Sequence, residues 1–465
     1  MKVFVERFNR YAANILIVGM LLTVIVKCVA TAAGGNYLFA DGANHLYKIL
    51  QAGDAVTNID GRQGSFFLME LLIMLGMKLG ITNINVLCVL YGVGSVIWLG
   101  VFILLAMCLC KKHVEEGGTQ YMALLAVLYV FVNVFTGFFT AIESITAVGM
   151  YCFLLIYYML SQKGKDWIFR IISGILLIFL PVANEYFVGY SAVLLLVLAV
   201  RALRDRRQIY IGEWIVHFMV NAYTCYRSYL AATQGAPTSS LEASIRTLAD
   251  RKYYWLILGT VVVSLFVSIV YSIVPDGVLK KIMCCIVFLL CVLCGVWLAL
   301  AVYLIAYGIA SISFSMRFMN LILPMAVGMF FLFLWLLRLN LKYSVLPMAA
   351  LFLILSCIYD VRVSRAYHDY LVRIHELNQE YTGFFEVGQT NLDRTFCWGW
   401  PLPMESILAQ CIQGETIIDS NMIYRFDMQQ WESFDSDDIE AYGDLERYGI
   451  HIDKEAFRGE GIGVQ

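Results

Sequence analysis

The strongest constraint on this chain is the recurrence of apolar runs about as long as a bilayer is thick. A hydrocarbon core of about 30 Å takes roughly 20 helical residues to cross, and runs of that kind recur between residues 12 and 360. In lipid a backbone must satisfy its own hydrogen bonds, so such runs fold as helices. Charge content agrees: 15% of the 465 residues are charged, against roughly 25% in an ordinary soluble domain. The sequence predicts an all-α polytopic membrane protein. The net charge of −2 says nothing about partners, and no basic, aromatic-interleaved patch suggests nucleic acid.

Eleven spans are expected, near 12–33, 84–110, 119–140, 145–160, 168–182, 187–201, 209–231, 253–274, 281–308, 318–338 and 343–360. The N-terminus resembles a signal peptide, but its apolar run is long for one. It reads as an uncleaved first span with Lys2, Arg7 and Arg10 inside. Cytoplasmic loops are enriched in Lys and Arg. Lys111, Lys112, SQKGKDWIFR (161–170) and RALRDRRQ (201–208) are therefore placed inside as well. That leaves 34–83, 139–146, 182–187, 231–252 and 308–317 outside. The further apolar segment 66–80 then cannot cross. It is expected to lie along the outer interface as an amphipathic helix, with Glu70 and Lys78 near water. Eleven crossings put residues 361–465 outside, as a small α/β or α+β domain, in a protein of the plasma membrane. Most of the 13 cysteines lie in apolar segments, as small hydrophobes. Cys397 and Cys411 fall in the polar tail, where a disulfide and two free thiols are both open.

The side chains that could carry chemistry cluster in the segments assigned outside. Asp41 opens DGANHLYKIL (41–50). It reads either as a helix cap or as a general base at the membrane surface. His45 shares its helical face, though two ligands are too few for a metal site. Glu143, in GFFTAIESITAVGM (137–150), is an acid bounded by apolar residues. It either reaches to water or has a partner or a task. Arg317, in SISFSMRFMNLILPMAVGM (311–329), is either an interface anchor or a bidentate phosphate ligand. Arg62, Arg227, and Asn184 and Glu185 in PVANEYF (181–187) are further cavity candidates. No GxxxxGK[ST], HExxH or GxSxG pattern is present. An enzyme of this kind would take its activated substrate from a lipid phosphate.

These pieces, in this order, resemble the GT-C superfamily of integral membrane glycosyltransferases, among them protein O-mannosyltransferases and bacterial aminoarabinose transferases. The resemblance rests on Asp41 in the long loop after the first span and on GSFFLMELLIMLGMKLG (64–80) before the second. Glu143 at the opening of the fourth span and RFMNLILP (317–324) at a late one complete it. It implies transfer of a sugar from a polyprenyl-phosphate donor to an extracytoplasmic glycan, lipid or protein, with inversion. Asp41 would be the base, Arg317 would stabilise the departing phosphate, and Glu143 would orient the acceptor or the neighbours of Asp41. Gly42 follows Asp41 where a second acid would favour a metal. No cofactor is expected, and a divalent cation, though compatible, is unsupported. The alternative class is a transporter or flippase, or a polysaccharide-assembly protein. For that reading His217 and Asn221 in 209–231 are the relevant polar stripe; they either line a path or bond helix to helix.

Overall fold

The computed structural model describes residues 2–56, 62–113, 117–135, 143–204, 209–234, 277, 278, 282, 313–337, 345–392, 396, 397, 401–423, 445–453 and 456. The expected spans at 253–274 and, but for Ile282, 281–308 lie outside the described residues. What is described is mostly helical. The helices are α1 (Lys2–Gly34), α2 (Asp41–Ala52), α3 (Gln63–Lys78), α4 (Ile84–Lys112), α5 (Gly118–Phe135), α6 (Glu143–Leu160), α7 (Trp167–Phe179), α8 (Phe187–Arg204) and α9 (Ile211–Gln234). They continue with α10 (Ser313–Leu337), α11 (Val345–Glu380) and α12 (Leu402–Ile412). Among the described residues five are long and apolar enough to cross a bilayer: Tyr11–Gly34 of α1, and α4, α6, α8 and α11. Their ends follow local chemistry. Asn83 caps α4 by accepting from the Val86 N–H at 3.1 Å, and Lys111 and Lys112 close its last turn, where the helix dipole favours cations.

The helix α6 is buried along its whole length, with α1, α4, α5, α8, α10 and α11 packed in and around the same core. Small residues set the close crossings. Gly100 of α4 lies against Val24 of α1, Gly149 of α6 against Leu99 and Phe102 of α4, and Gly328 of α10 against Tyr151 of α6. At one end of this bundle Lys112 and His113 meet Asp166, at 3.5 and 3.1 Å. There too Arg201 donates to the carbonyls of Met159 and Ser161, and Arg204 to that of Trp335. The acid-bearing turns gather at the opposite end. Below that end, and inside the apolar run of α1, Lys27 pairs with Asp360 of α11 at 3.0 Å. Asn133 of α5 donates to the same carboxylate.

The segment 66–80 departs from the sequence expectation. Instead of lying across the helix ends, α3 doubles back along the first half of α4. Gly76 faces Leu87 and Leu90, Gly94 faces the Met69 carbonyl, and Trp98 Nε1 donates to the Leu68 carbonyl at 2.6 Å. The reason is that α3 is apolar on nearly every side, and the glycines let two backbones approach closely. As a result Glu70 is buried rather than wetted, at 1% exposure, while Lys78 is exposed.

The 36 residues of α11 measure about 54 Å at 1.5 Å per residue, well beyond the thickness of a hydrocarbon core. Its first half runs beside α1, with Leu353 near Gly19 and Ser364 near Gly34. Its second half continues past the end of α1. The boundary expected at residue 361 thus falls inside an unbroken helix. Beyond it, β1 (Gly383–Glu386) pairs in parallel with β3 (Ser420–Ile423), Gly383 opposite Ser420. The strands β2 (Ile417–Ile418) and β4 (His451–Ile452) form a second parallel pair. Between β1 and β3 runs α12, the crossover that a parallel pair requires; it packs on α2, α4 and α11. Cys397 and Cys411 are both buried, and the Tyr370 hydroxyl donates to Cys397 Sγ at 3.6 Å.

Candidate functional site

The site begins where the chain leaves α1. Gly35, at φ 71°, turns it into a short 3-10 segment, and Ala40 starts α2 at φ 54°, ψ −127°. Among the described residues Ala40 is the sole non-glycine residue with positive φ. Such strain costs of the order of 1–3 kcal/mol and persists where surrounding structure enforces it. It delivers Asp41 as the first residue of α2. The cap position belongs to Ala40, which has no capping side chain. Asp41 is therefore not the N-cap, although its carboxylate still faces the favourable end of the helix dipole.

One turn on, the His45 ring lies 4.6 Å from that of Phe66, centroid to centroid. Burial lowers the His45 pKa, against the pull of Asp41 and Glu143. The start of α3 is pinned to the turn before α8: Ser65 Oγ donates to the Ala183 carbonyl at 2.6 Å. That contact sets Arg62 beside Glu185. Its Nε and Nη2 donate to the two Glu185 oxygens at 2.8 and 2.5 Å, and Nη1 donates to Glu143 Oε1 at 2.5 Å. All three side chains are buried. Burial disfavours the guanidinium charge, but the two carboxylates outweigh it and raise the Arg62 pKa. Asn184 shapes the same turn. Its Oδ1 accepts from the Tyr186 N–H at 2.9 Å, and its carbonyl accepts from Ser228 Oγ at 3.2 Å.

Asp41, His45, Arg62, Glu143, Asn184 and Glu185 are thus brought to one end of the bundle. Arg317 belongs to the first turns of α10. One turn further along, Asn320 Nδ2 donates to Ser144 Oγ at 3.4 Å, and the Asn320 carbonyl accepts from the Tyr190 hydroxyl. The backbone that carries Arg317 therefore enters the bundle next to Glu143. Arg227 is exposed on α9, unlike the buried cluster.

Two residues here were not among the site candidates that the sequence offers. Glu70 Oε2 accepts from the Val56 N–H at 3.1 Å, while Oε1 has no partner. Burial, helped by Asp54 and opposed by the Val56 N–H, pushes its pKa up to about 7. Tyr91 of α4 is buried, its hydroxyl has no partner, and it lies within electrostatic reach of Glu70, Asp41 and Glu143. The available signal was a lone acid in the apolar stretch FFLMELLIML.

The polar stripe of α9 has another use. His217 Nδ1 meets the Tyr158 hydroxyl at 2.8 Å, Asn221 Nδ2 donates to that hydroxyl at 3.0 Å, and Glu213 pairs with Arg170 at 2.9 Å. Among the described residues no three His, Cys, Asp or Glu side chains converge as a metal-binding group.

Fold and site together define a helical membrane protein with a buried, acid-rich cluster at one end of its bundle. Comparisons with protein-family models, curated proteins and solved structures give no match to this chain.

Proposed function

We propose that this protein is a membrane glycosyltransferase that moves a sugar from a polyprenyl-phosphate donor to an acceptor outside the cell. The observation that supports this reading is the convergence of Asp41, His45, Arg62 and Glu143 with the opening turns of α10 at one end of the bundle. In this reading that end faces outward at the plasma membrane, the full chain crosses eleven times, and the α12 region flanks the acceptor side. Asp41 accepts the proton of the acceptor hydroxyl as its oxygen bonds to the anomeric carbon. The bond from that carbon to the phosphate oxygen breaks on the opposite face, which inverts the configuration. Arg317 stabilises the charge that develops on the leaving phosphate. Glu143 and Glu185, both held by Arg62, act as positioning residues for α3 and α6. Transport ranks second, because the polar residues of α9 are bound to Tyr158 and Arg170.

The test is release of polyprenyl phosphate from labelled lipid-linked sugars by the purified protein in liposomes. Release is expected, with Asp41→Asn slower by roughly 100-fold or more, the usual contribution of a general base. Absence of release across a panel of donors, or an undiminished rate in Asp41→Asn, overturns the reading.

A further inference from the structure

Three buried polar atoms on α2, α3 and α4 have no hydrogen-bond partner: His45 Nδ1, Glu70 Oε1 and the Tyr91 hydroxyl. An unpaired polar group in a protein interior costs about 1–3 kcal/mol, so several together mark a place shaped for something polar. They come from α2, α3 and α4, and they share neighbours. Tyr91 lies within electrostatic reach of Glu70, Asp41 and Glu143, and His45 within reach of Asp41, Glu143 and Arg62. Phe66, whose ring packs on His45, is one helical turn from Glu70, so both project from one face of α3.

The chemistry of the trio narrows the ligand. Imidazole, a carboxyl group titrating near neutrality and a phenol can each donate or accept a hydrogen bond. A sugar hydroxyl does both as well. The surroundings are acidic, and the guanidinium of Arg62 is already taken by Glu143 and Glu185, which disfavours an anion. Phe66 and Tyr91, with Tyr37 edge-on to Tyr91 at 6.4 Å, place aromatic side chains beside the trio, and such rings commonly pack on the C–H face of a pyranose or furanose. We infer that His45, Glu70 and Tyr91 form a subsite for the ring hydroxyls of a neutral sugar next to Asp41. The subsite takes its place in a reaction from the transferase reading, while its ligand class stands on the orphaned atoms alone.

The experiment follows the unfolding temperature of the purified full-length protein in detergent, titrated with glucose, galactose, mannose and arabinose. Concentrations run to roughly 100 mM, since small neutral ligands bind weakly. At least one sugar is expected to raise the unfolding temperature saturably. Tyr91→Phe, which deletes only the orphaned hydroxyl, is expected to keep or raise the temperature without sugar and to weaken the apparent affinity at least tenfold. Glu70→Gln should weaken it too. If no sugar stabilises the wild type, or if Tyr91→Phe responds as the wild type does, the subsite is overturned. Such a result alongside intact polyprenyl phosphate release leaves the transferase reading standing. Sugar binding lost in Tyr91→Phe, in a protein that releases no polyprenyl phosphate, sinks the transferase reading and keeps the subsite.

Discussion

Arg62 grips both oxygens of Glu185, at 2.8 and 2.5 Å, across 123 positions of sequence. This fork, extended to Glu143 by Nη1, ties the start of α3 to the starts of α6 and α8. Removing one member of a buried ion pair costs about 3–5 kcal/mol, because the remaining charges lose their compensation. Arg62→Ala is therefore expected to lower stability by that amount in chemical unfolding in detergent. Arg62→Lys should fall between, since an ammonium cannot hold both oxygens of Glu185 in a planar fork. An unchanged unfolding midpoint in Arg62→Ala would contradict the pairing.

Ala40 carries its strain through the backbone, so a residue without Cβ relieves it. Ala40→Gly is expected to stabilise the fold by about 1 kcal/mol, the relief exceeding the added freedom of the unfolded chain. Ala40→Val should destabilise it instead. Thermal unfolding of the two variants gives opposite shifts if the conformation is as described.

Glu70 couples stability to pH. Its pKa rises from 4.5 to about 7 on folding, so the folded state holds a proton that the unfolded state has lost within that window. The contribution of Glu70 to stability is greatest below about pH 4.5, declines as pH rises toward 7, and levels off above it. The full decline amounts to about 3 kcal/mol at 1.36 kcal/mol per pH unit. Glu405, buried beneath Tyr367 with its pKa pushed up to about 8, slopes the same way. Glu70→Gln should flatten only its own share of the slope, measured by unfolding at a series of pH values. Identical slopes in the variant and the wild type would rule out this role.

The crossing of α3 and α4 depends on a missing methyl group. A Cβ on Gly94 would sit 2.3 Å from the Met69 carbonyl oxygen, and neither backbone can rotate away. Gly94→Val is expected to cost about 1–3 kcal/mol, with protease sensitivity appearing at 79–83, the connection between the two helices.

In the apolar part of the bundle, Asp360→Asn removes the counter-charge of Lys27 and should cost about 3–5 kcal/mol. The double replacement Lys27→Met with Asp360→Leu is expected to recover most of that loss. Comparing the single and double variants by unfolding in detergent separates the pair from its neighbours.

Hydrophobic length alone gives nearly all the described spans. The expected 84–110, 145–160 and 187–201 differ from α4, α6 and α8 by three residues or fewer at each end. Charge alone also groups the basic loops, which the contacts of Asp166 and Arg201 bring to one end. What hydropathy does not carry is partnership. An apolar helix such as α3 can lie on lipid or on another helix, and the hydropathy of FFLMELLIML is equal in both cases. The choice resided in Gly76 and Gly94, whose surfaces admit a second backbone. The same gap hides Tyr91, since a tyrosine in an apolar run looks like core until its hydroxyl is found without a partner. Arg62, Glu143 and Glu185 were each legible as candidates. Their mutual bonding was not, because it depends on Ser65 docking against the Ala183 carbonyl.

The unbroken course of α11 has a mechanical consequence. With no joint between its two halves, the part beyond the bundle cannot swing independently, and whatever rides on it inherits its azimuth. Each inserted residue turns a helix by about 100° and advances it by 1.5 Å. A single alanine added near Ser364 would therefore swing α12 away from α2, while leaving the packing of the first half of α11 on α1 in register.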